Sequence, residues 1–287
     1  MELDLRTPDA IMKIASAGHH GVCRRWDPME CDETPPRPRP RALRMDCDFA
    51  CLADHDEDAF FCHSKASVVG VADGVGGCRR DGVDAAEFSL GLMENAFDEV
   101  DAASSSGTRG VCPYTVLERA YQKTVASTRT PAASTALILS LAGENLRWAY
   151  VGDSAFAVFR GGRLLLRSVP QQHYFNCPFQ LSAVGGSRVS DAAVGEFPVE
   201  EGDVVVAGTD GLFDNVFDSV LEDIVRMGTK LRFTPGEMAE AMAGLAYDMA
   251  RSDRESPFSA ASREHRGTDF TGGKQDDITV IVAFIVS

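Results

Sequence analysis

Residues 68–72, Val-Val-Gly-Val-Ala, form an unbroken apolar run that stops at Asp73, with Gly74, Gly76 and Gly77 close behind. A short continuous apolar run bounded by glycine predicts a buried strand that ends at a carboxylate and turns tightly. The pattern recurs along the chain. Residues 204–208, Val-Val-Val-Ala-Gly, lead into Thr209 and Asp210, and Asp276 and Asp277 stand immediately before the apolar stretch 278–286. Asp56, Glu57 and Asp58 precede Ala59, Phe60 and Phe61. Apolar strands spread over the whole chain therefore carry acids at their ends.

The intervening segments alternate between helical and extended patterns. Residues 10–18 read as a first strand, and 24–46, with Pro35, Pro36, Pro38 and Pro40 among arginines, as an exposed extended loop. A strand is expected over 59–62. Ala86, Leu90, Met93, Phe97 and Val100 make one stripe at helical spacing, and Tyr114, Leu117, Tyr121 and Val125 a second. Strands follow over 135–141 and 146–151. A hairpin turn at Arg160-Gly161-Gly162-Arg163 joins 155–159 to 164–166. Residues 167–195 read as irregular and 203–207 as strand. Phe217, Val220, Leu221 and Ile224 mark a helix with Gly228 as its C-cap. Thr234-Pro235-Gly236-Glu237 has the capping-box form, and Met238, Met242, Leu245 and Met249 continue that helix. Residues 251–273 read as polar loop and 278–286 as a closing strand. Strands followed by paired helices, twice over, predict an α+β fold of two antiparallel sheets covered by helices.

If the acid-tipped strands are neighbours, their carboxylates converge and repel one another unless cations neutralise them. Oxygen ligands without histidine suit Mg²⁺ or Mn²⁺ rather than zinc. The plainer alternatives are turns: Asp-Gly at Asp73, a turn-capping Asp153, and Asp214 as a helix cap. Cys47, Cys51, Cys62 and His63 are too irregularly spaced for a zinc site, and with no secretory signal the eight cysteines are expected reduced. A net charge of −15 excludes a general nucleic-acid binder. No apolar run approaches the ~20 residues of a membrane helix, and the acidic start resembles no signal or transit peptide. The chain is expected inside the cell, in the cytoplasm.

The ordered set of motifs resembles the metal-dependent PPM (type 2C) Ser/Thr protein phosphatases. It comprises Glu57-Asp58-Ala59, Asp73-Gly74-Val75-Gly76-Gly77, Ser134-Thr135-Ala136, Gly152-Asp153-Ser154, Gly208-Thr209-Asp210-Gly211 and Asp276-Asp277-Ile278-Thr279. Gly82-Val83-Asp84 and residues 171–181 are similar to the branch of mitochondrial and T-cell-activation phosphatases. The resemblance implies an αββα sandwich and one phosphatase domain over 1–287, with 24–46 as an insertion. It implies hydrolysis of phosphoserine and phosphothreonine in protein substrates by a water activated between two ions. Asp73 would bridge the ions. Glu57 and the Gly74 carbonyl would complete one, Asp210 and Asp276 the other, and Asp153 a third, weaker site. Asp58 and Asp277 would support them. Asp73 and Asp210 are the residues on which catalysis should depend most. Two departures stand out: Ala53 replaces an arginine that contacts phosphate in many relatives, and Val75 replaces a histidine. Arg79, Arg80 or Lys65 is the expected substitute for the phosphate contact. The alternative function is an inactive scaffold that keeps the fold. A monomer is expected, and the branch allows a mitochondrial location.

Overall fold

The computed structural model describes residues 42–75, 84–106, 110–128, 130–267 and 269–287. The predicted strand at 10–18 and most of the 24–46 loop lie outside them. Two five-stranded sheets form the centre. Numbered in chain order, the first has β1 (Arg44–Leu52), β14 (Ile278–Val286), β13 (Val204–Gly208), β7 (Ala155–Arg160) and β8 (Arg163–Arg167) side by side. The second has β12 (Ala193–Pro198), β6 (Asn145–Val151), β5 (Ala136–Ala142), β3 (Val68–Ala72) and β2 (Ala59–His63). Every neighbouring pair in both sheets is antiparallel.

The apolar runs are unbroken because these strands are buried on both faces, where antiparallel strands with one wet face would alternate. Val69, Val71, Leu137, Leu139, Val158 and Ile281 fill the space between the sheets. Their neighbours Val68, Ala72 and Ile138 face outward against α1 (Ala86–Ser105) and α2 (Pro113–Ser127), meeting Phe88, Leu92 and Leu117. On the other side Ala157, Val206 and Val280 meet Leu221 of α4 (Asp218–Leu231) and Met242 of α5 (Pro235–Ala250). The layers are helix, sheet, sheet, helix. The hairpin between β7 and β8 turns on Gly161 (φ 59°) and Gly162 (φ 74°), the paired positive φ values that a two-residue hairpin loop takes.

Several expectations are corrected. Residues 44–46 belong to β1, which pairs with β14 along its length, from Arg44 opposite Val286 to Leu52 opposite Ile278. On α1, Leu90 and Phe97 are 47% and 40% exposed, and Phe88, Leu92 and Ala96 turn inward. This helix packs against both α2 and the edge of the second sheet, so more than one apolar stripe was open to it. Gly228 does not end α4. The helix runs to Leu231 and is capped by Arg232 at φ 60°. Gly228 instead lets α5 approach, since a Cβ there would come 2.7 Å from the Met238 methyl. Residues 193–198 are strand β12, and 251–273 contain α6 (Pro257–Arg266), opened by a Ser256–Ser259 capping box. The capping box at Thr234 and Glu237 forms as expected.

Candidate metal-binding active site

Antiparallel pairing decides where the acids go. Ala72 at the end of β3 lies opposite Ala59 at the start of β2, which brings Asp73 beside Glu57 and Asp58. Gly208 at the end of β13 lies opposite Val280 near the start of β14, which brings Asp210 beside Asp276 and Asp277. Glu57, Asp73, Gly74, Asp210, Lys274 and Asp276 all line one cavity of about 290 Å³.

The backbone around each acid is tied down. Asp73 N donates to Thr135 Oγ1 (3.0 Å) and Thr135 N to the Asp73 carbonyl (2.9 Å). Thr135 Oγ1 also shares a hydrogen bond with Ser154 Oγ at 2.7 Å. Gly74 N donates to the Glu57 carbonyl at 3.1 Å, joining the ends of β3 and β2. A Cβ at Gly74 would lie 2.7 Å from the carbonyl oxygens of both Glu57 and Ala85, so the close approach requires glycine. Asp277 does not face the cavity chemistry directly. Its Oδ1 accepts from the backbone of Asp54 (2.5 Å), His55 (2.6 Å) and Asp56 (3.3 Å), and its Oδ2 from Glu57 N (2.6 Å). Asp277 therefore organises the loop that presents Glu57. Asp58 accepts from Thr209 Oγ1 at 2.8 Å, and Thr209 Oγ1 in turn accepts from Thr279 N, so Asp58 braces the β13–β14 end.

Gathering acids in a buried site raises their affinity for protons. Burial first, then Asp210, Asp58 and Asp276, push the Asp73 carboxyl well above its ordinary value. Burial likewise raises Asp58 and Asp276. It lifts Asp153 to about 6 and Asp214 to about 8, in each case with Asp210 as the strongest repulsive charge. Asp277 goes the other way. Burial alone would raise it, but the four backbone donors hold it below its ordinary value.

Asp153 is 5% exposed and its Oδ2 accepts from Gln172 Nε2 at 2.8 Å. Gln171 Oε1 accepts from Gly152 N at 3.1 Å, so the 171–181 stretch clamps the Gly152-Asp153 turn. Within that stretch His173 stacks on Phe179 with ring centroids 4.4 Å apart, and Asn176 takes φ 59° at the turn between β9 (Gln172–Tyr174) and β10 (Cys177–Pro178). Asp214 is not the cap of α4, whose N-cap is Phe217; it ends α3 (Asp210–Phe213) and its carboxylate faces Lys274.

Of the expected phosphate contacts, Lys65 does not line this cavity. Lys65 sits before β3 and Asp73 after it, so the five-residue strand separates them by about 16 Å at ~3.3 Å per residue. Arg79 and Arg80 lie outside the described residues. Lys274, which the sequence reading passed over, is the lysine in the cavity. Its Nζ lies 3.0 Å from Asp276 Oδ2 and 3.5 Å from Asp214 Oδ2, and it contacts Asp210 Oδ2. Its one sequence signal was being the cation nearest to Asp276.

The donor set fits a hard cation. Asp58 Oδ1, Asp153 Oδ1 and Asp210 Oδ1 are buried and accept no hydrogen bond among the described residues, a costly state for a carboxylate oxygen unless something positive meets it. Among the described residues no three His, Cys, Asp or Glu side chains are already gathered tightly enough to hold an ion. The Lys274 ammonium stands among the acids instead.

Residues 54–246 match the family described as Protein phosphatase 2C. A curated rice protein, "Putative protein phosphatase 2C 24" of Oryza sativa subsp. japonica, is 55% identical over 261 residues, 91% of this chain and 82% of its own length. "Protein phosphatase PTC7 homolog" of Xenopus laevis is 36% identical over 247 residues, 80% of this chain and 82% of its own. Among solved structures, the photosystem II phosphatase PBCP superposes with a TM-score of 0.72 at 32% identity, covering 84% of this chain and 98% of that one. The catalytic domain of the phosphatase PstP, solved with two manganese ions, shares the fold with a TM-score of 0.60 at 17% identity, over 85% of this chain and 100% of its own.

Proposed function

The chain belongs to the protein phosphatase 2C family of metal-dependent Ser/Thr protein phosphatases, and from that premise we propose that the strand-end carboxylates hold two divalent ions, Mg²⁺ or Mn²⁺. Asp73, on the cavity lining, would serve both ions. Glu57 and the Gly74 carbonyl take one ion, Asp210 and Asp276 the other, and Asp153 contributes to a third, weaker site. The observation that carries this reading is the convergence of Glu57, Asp73, Asp210 and Asp276 on one cavity, where Asp210 Oδ1 is buried and accepts no hydrogen bond among the described residues. When bound, the ions supply a water of lowered pKa and neutralise charge that develops on the phosphoryl oxygens.

The chain's own residues supply position. Asp277 holds the Glu57 loop, Thr135 holds the Asp73 backbone, and Gly74 offers its carbonyl where a side chain would collide. Val75, anchored by its N–H to the Ala133 carbonyl at 2.8 Å, brings no acid or base to the cavity. Arg79 and Arg80 are the candidates for phosphate contact. The substrates are phosphoserine and phosphothreonine proteins. No helix among the described residues is long and apolar enough to cross a membrane. The described cysteines are free thiols. We read the chain as a monomer with a single domain over 1–287.

The test is hydrolysis of a phosphothreonine peptide with Mn²⁺, with Mg²⁺ and with chelator, for the wild type and Asp210→Asn. Turnover should vanish in chelator and fall at least ~100-fold in the variant. Undiminished turnover in chelator would refute the reading.

A further inference from the structure

Lys274 is built into the acidic cluster rather than resting on it. Its side chain is 18% exposed. Its backbone is gripped on both sides by one fully buried side chain: Lys274 N donates to Asn215 Oδ1 (2.9 Å), and Asn215 Nδ2 donates to the Lys274 carbonyl (2.8 Å). The residue before it must be glycine for this grip, because a Cβ at Gly273 would come 2.4 Å from Asn215 Oδ1 and from the Met249 carbonyl. Asn215 also donates to the Gly211 carbonyl at 2.9 Å, on the short helix that begins with Asp210. One buried amide thus locks the lysine to the element that carries a proposed metal ligand. The ammonium then reaches Asp210, Asp276 and Asp214 together, with Asp73 and Asp153 facing it from further off.

A fixed positive charge here has two consequences. Without divalent ions it offsets the mutual repulsion of the acids. With an incoming ion it competes for the same oxygens and repels the like charge. We propose that Lys274 is a resident counter-cation of the site: its ammonium holds Asp210, Asp214 and Asp276 together in the metal-free protein and competes with the ion that Asp210 and Asp276 take. The proposal rests on the reading of Asp210 and Asp276 as ligands. It gives the site a lower ion affinity than its carboxylates alone would have, so that occupancy follows the ion concentration. Lys274 is in this sense a positioning residue for the carboxylates.

The test is calorimetric titration of Mn²⁺ into the metal-free full chain, comparing wild type, Lys274→Met and Lys274→Arg, with thermal melts of each before and after ion. Lys274→Met should bind Mn²⁺ at least ~10-fold more tightly than wild type, and melt lower than wild type only in the metal-free state. Lys274→Arg, which keeps the charge, should bind within about threefold of wild type. Equal or weaker Mn²⁺ binding by a folded Lys274→Met overturns the proposal. Weaker inhibition by inorganic phosphate at unchanged Mn²⁺ affinity does the same, and would make Lys274 a phosphate contact. If Lys274→Met does not fold, Lys274→Gln is titrated in its place and the same results decide. A wild type that takes up no Mn²⁺ would overturn the ligand assignment itself, and this proposal with it.

Discussion

Asp277→Asn isolates the device that holds the Glu57 loop. One carboxylate accepts from four successive backbone N–H groups, at 2.5, 2.6 and 3.3 Å on Oδ1 and 2.6 Å on Oδ2. An amide of the same shape keeps one oxygen. If that oxygen serves Asp54, His55 and Asp56, the Glu57 N–H faces an NH₂ group and loses its acceptor. A hydrogen bond to a charged group contributes about 1.5–3 kcal/mol, and the retained bonds also weaken with the charge gone, so the net loss is about 3 kcal/mol. For a domain of this size each kcal/mol shifts Tm by about 2–4 °C, which gives a fall of about 6–12 °C. The pH dependence has a definite sign. The Asp277 pKa is held below its unfolded value of 3.8, so its contribution is complete above that value and is lost only as pH falls through the folded value beneath it. Melts in chelator should therefore show the same gap between variant and wild type from pH 5 to pH 8. A Tm change under about 2 °C, or a gap that closes as pH falls through 6, would refute the assignment.

Three further outcomes are expected. In chelator, wild-type stability should fall as pH rises from about 4 to about 8, because Asp58, Asp73, Asp276, Asp153 (about 6) and Asp214 (about 8) all keep protons in the fold that the unfolded chain releases near 3.8. Saturating Mn²⁺ should reverse that slope, and a flat profile in chelator would contradict it. Gly74→Ala places a methyl 2.7 Å from two carbonyl oxygens, so it should lower stability by about 1–3 kcal/mol and activity with it; wild-type values for both would show that the strand ends can separate to admit a side chain. Lys65→Ala, at the far end of β3, should leave phosphopeptide kinetics unchanged, and a raised KM would restore it as a phosphate contact.

The two sheets and the acids at their ends were legible because the strands concerned are buried on both faces. Unbroken runs such as 68–72 and 204–208 stand out and stop where the acids begin. The elements that escaped reading lack that contrast. In β1, Met45 alone is fully inward while Arg44, Asp46, Asp48 and Ala50 interrupt the pattern, although Met45, Cys47, Phe49 and Cys51 do alternate. In α6 the sequence is polar and short, and its capping box of two serines lacks the usual acid. The site's supporting contacts depend on which distant segments meet. Gln172 against Asp153, Asn215 around Lys274 and Asp277 under the 54–57 loop are tertiary facts that no local period announces. Lys65 is the reverse case: near Asp73 in sequence, it sits at the other end of β3.

The most direct test of the central claim is ion stoichiometry. Mn²⁺ titrated calorimetrically into metal-free wild type and Asp73→Asn should show two ions bound per chain in the wild type. In the variant, which loses the carboxylate proposed to serve both, binding should be at least ~100-fold weaker. Wild-type stoichiometry and affinity in Asp73→Asn would contradict the account.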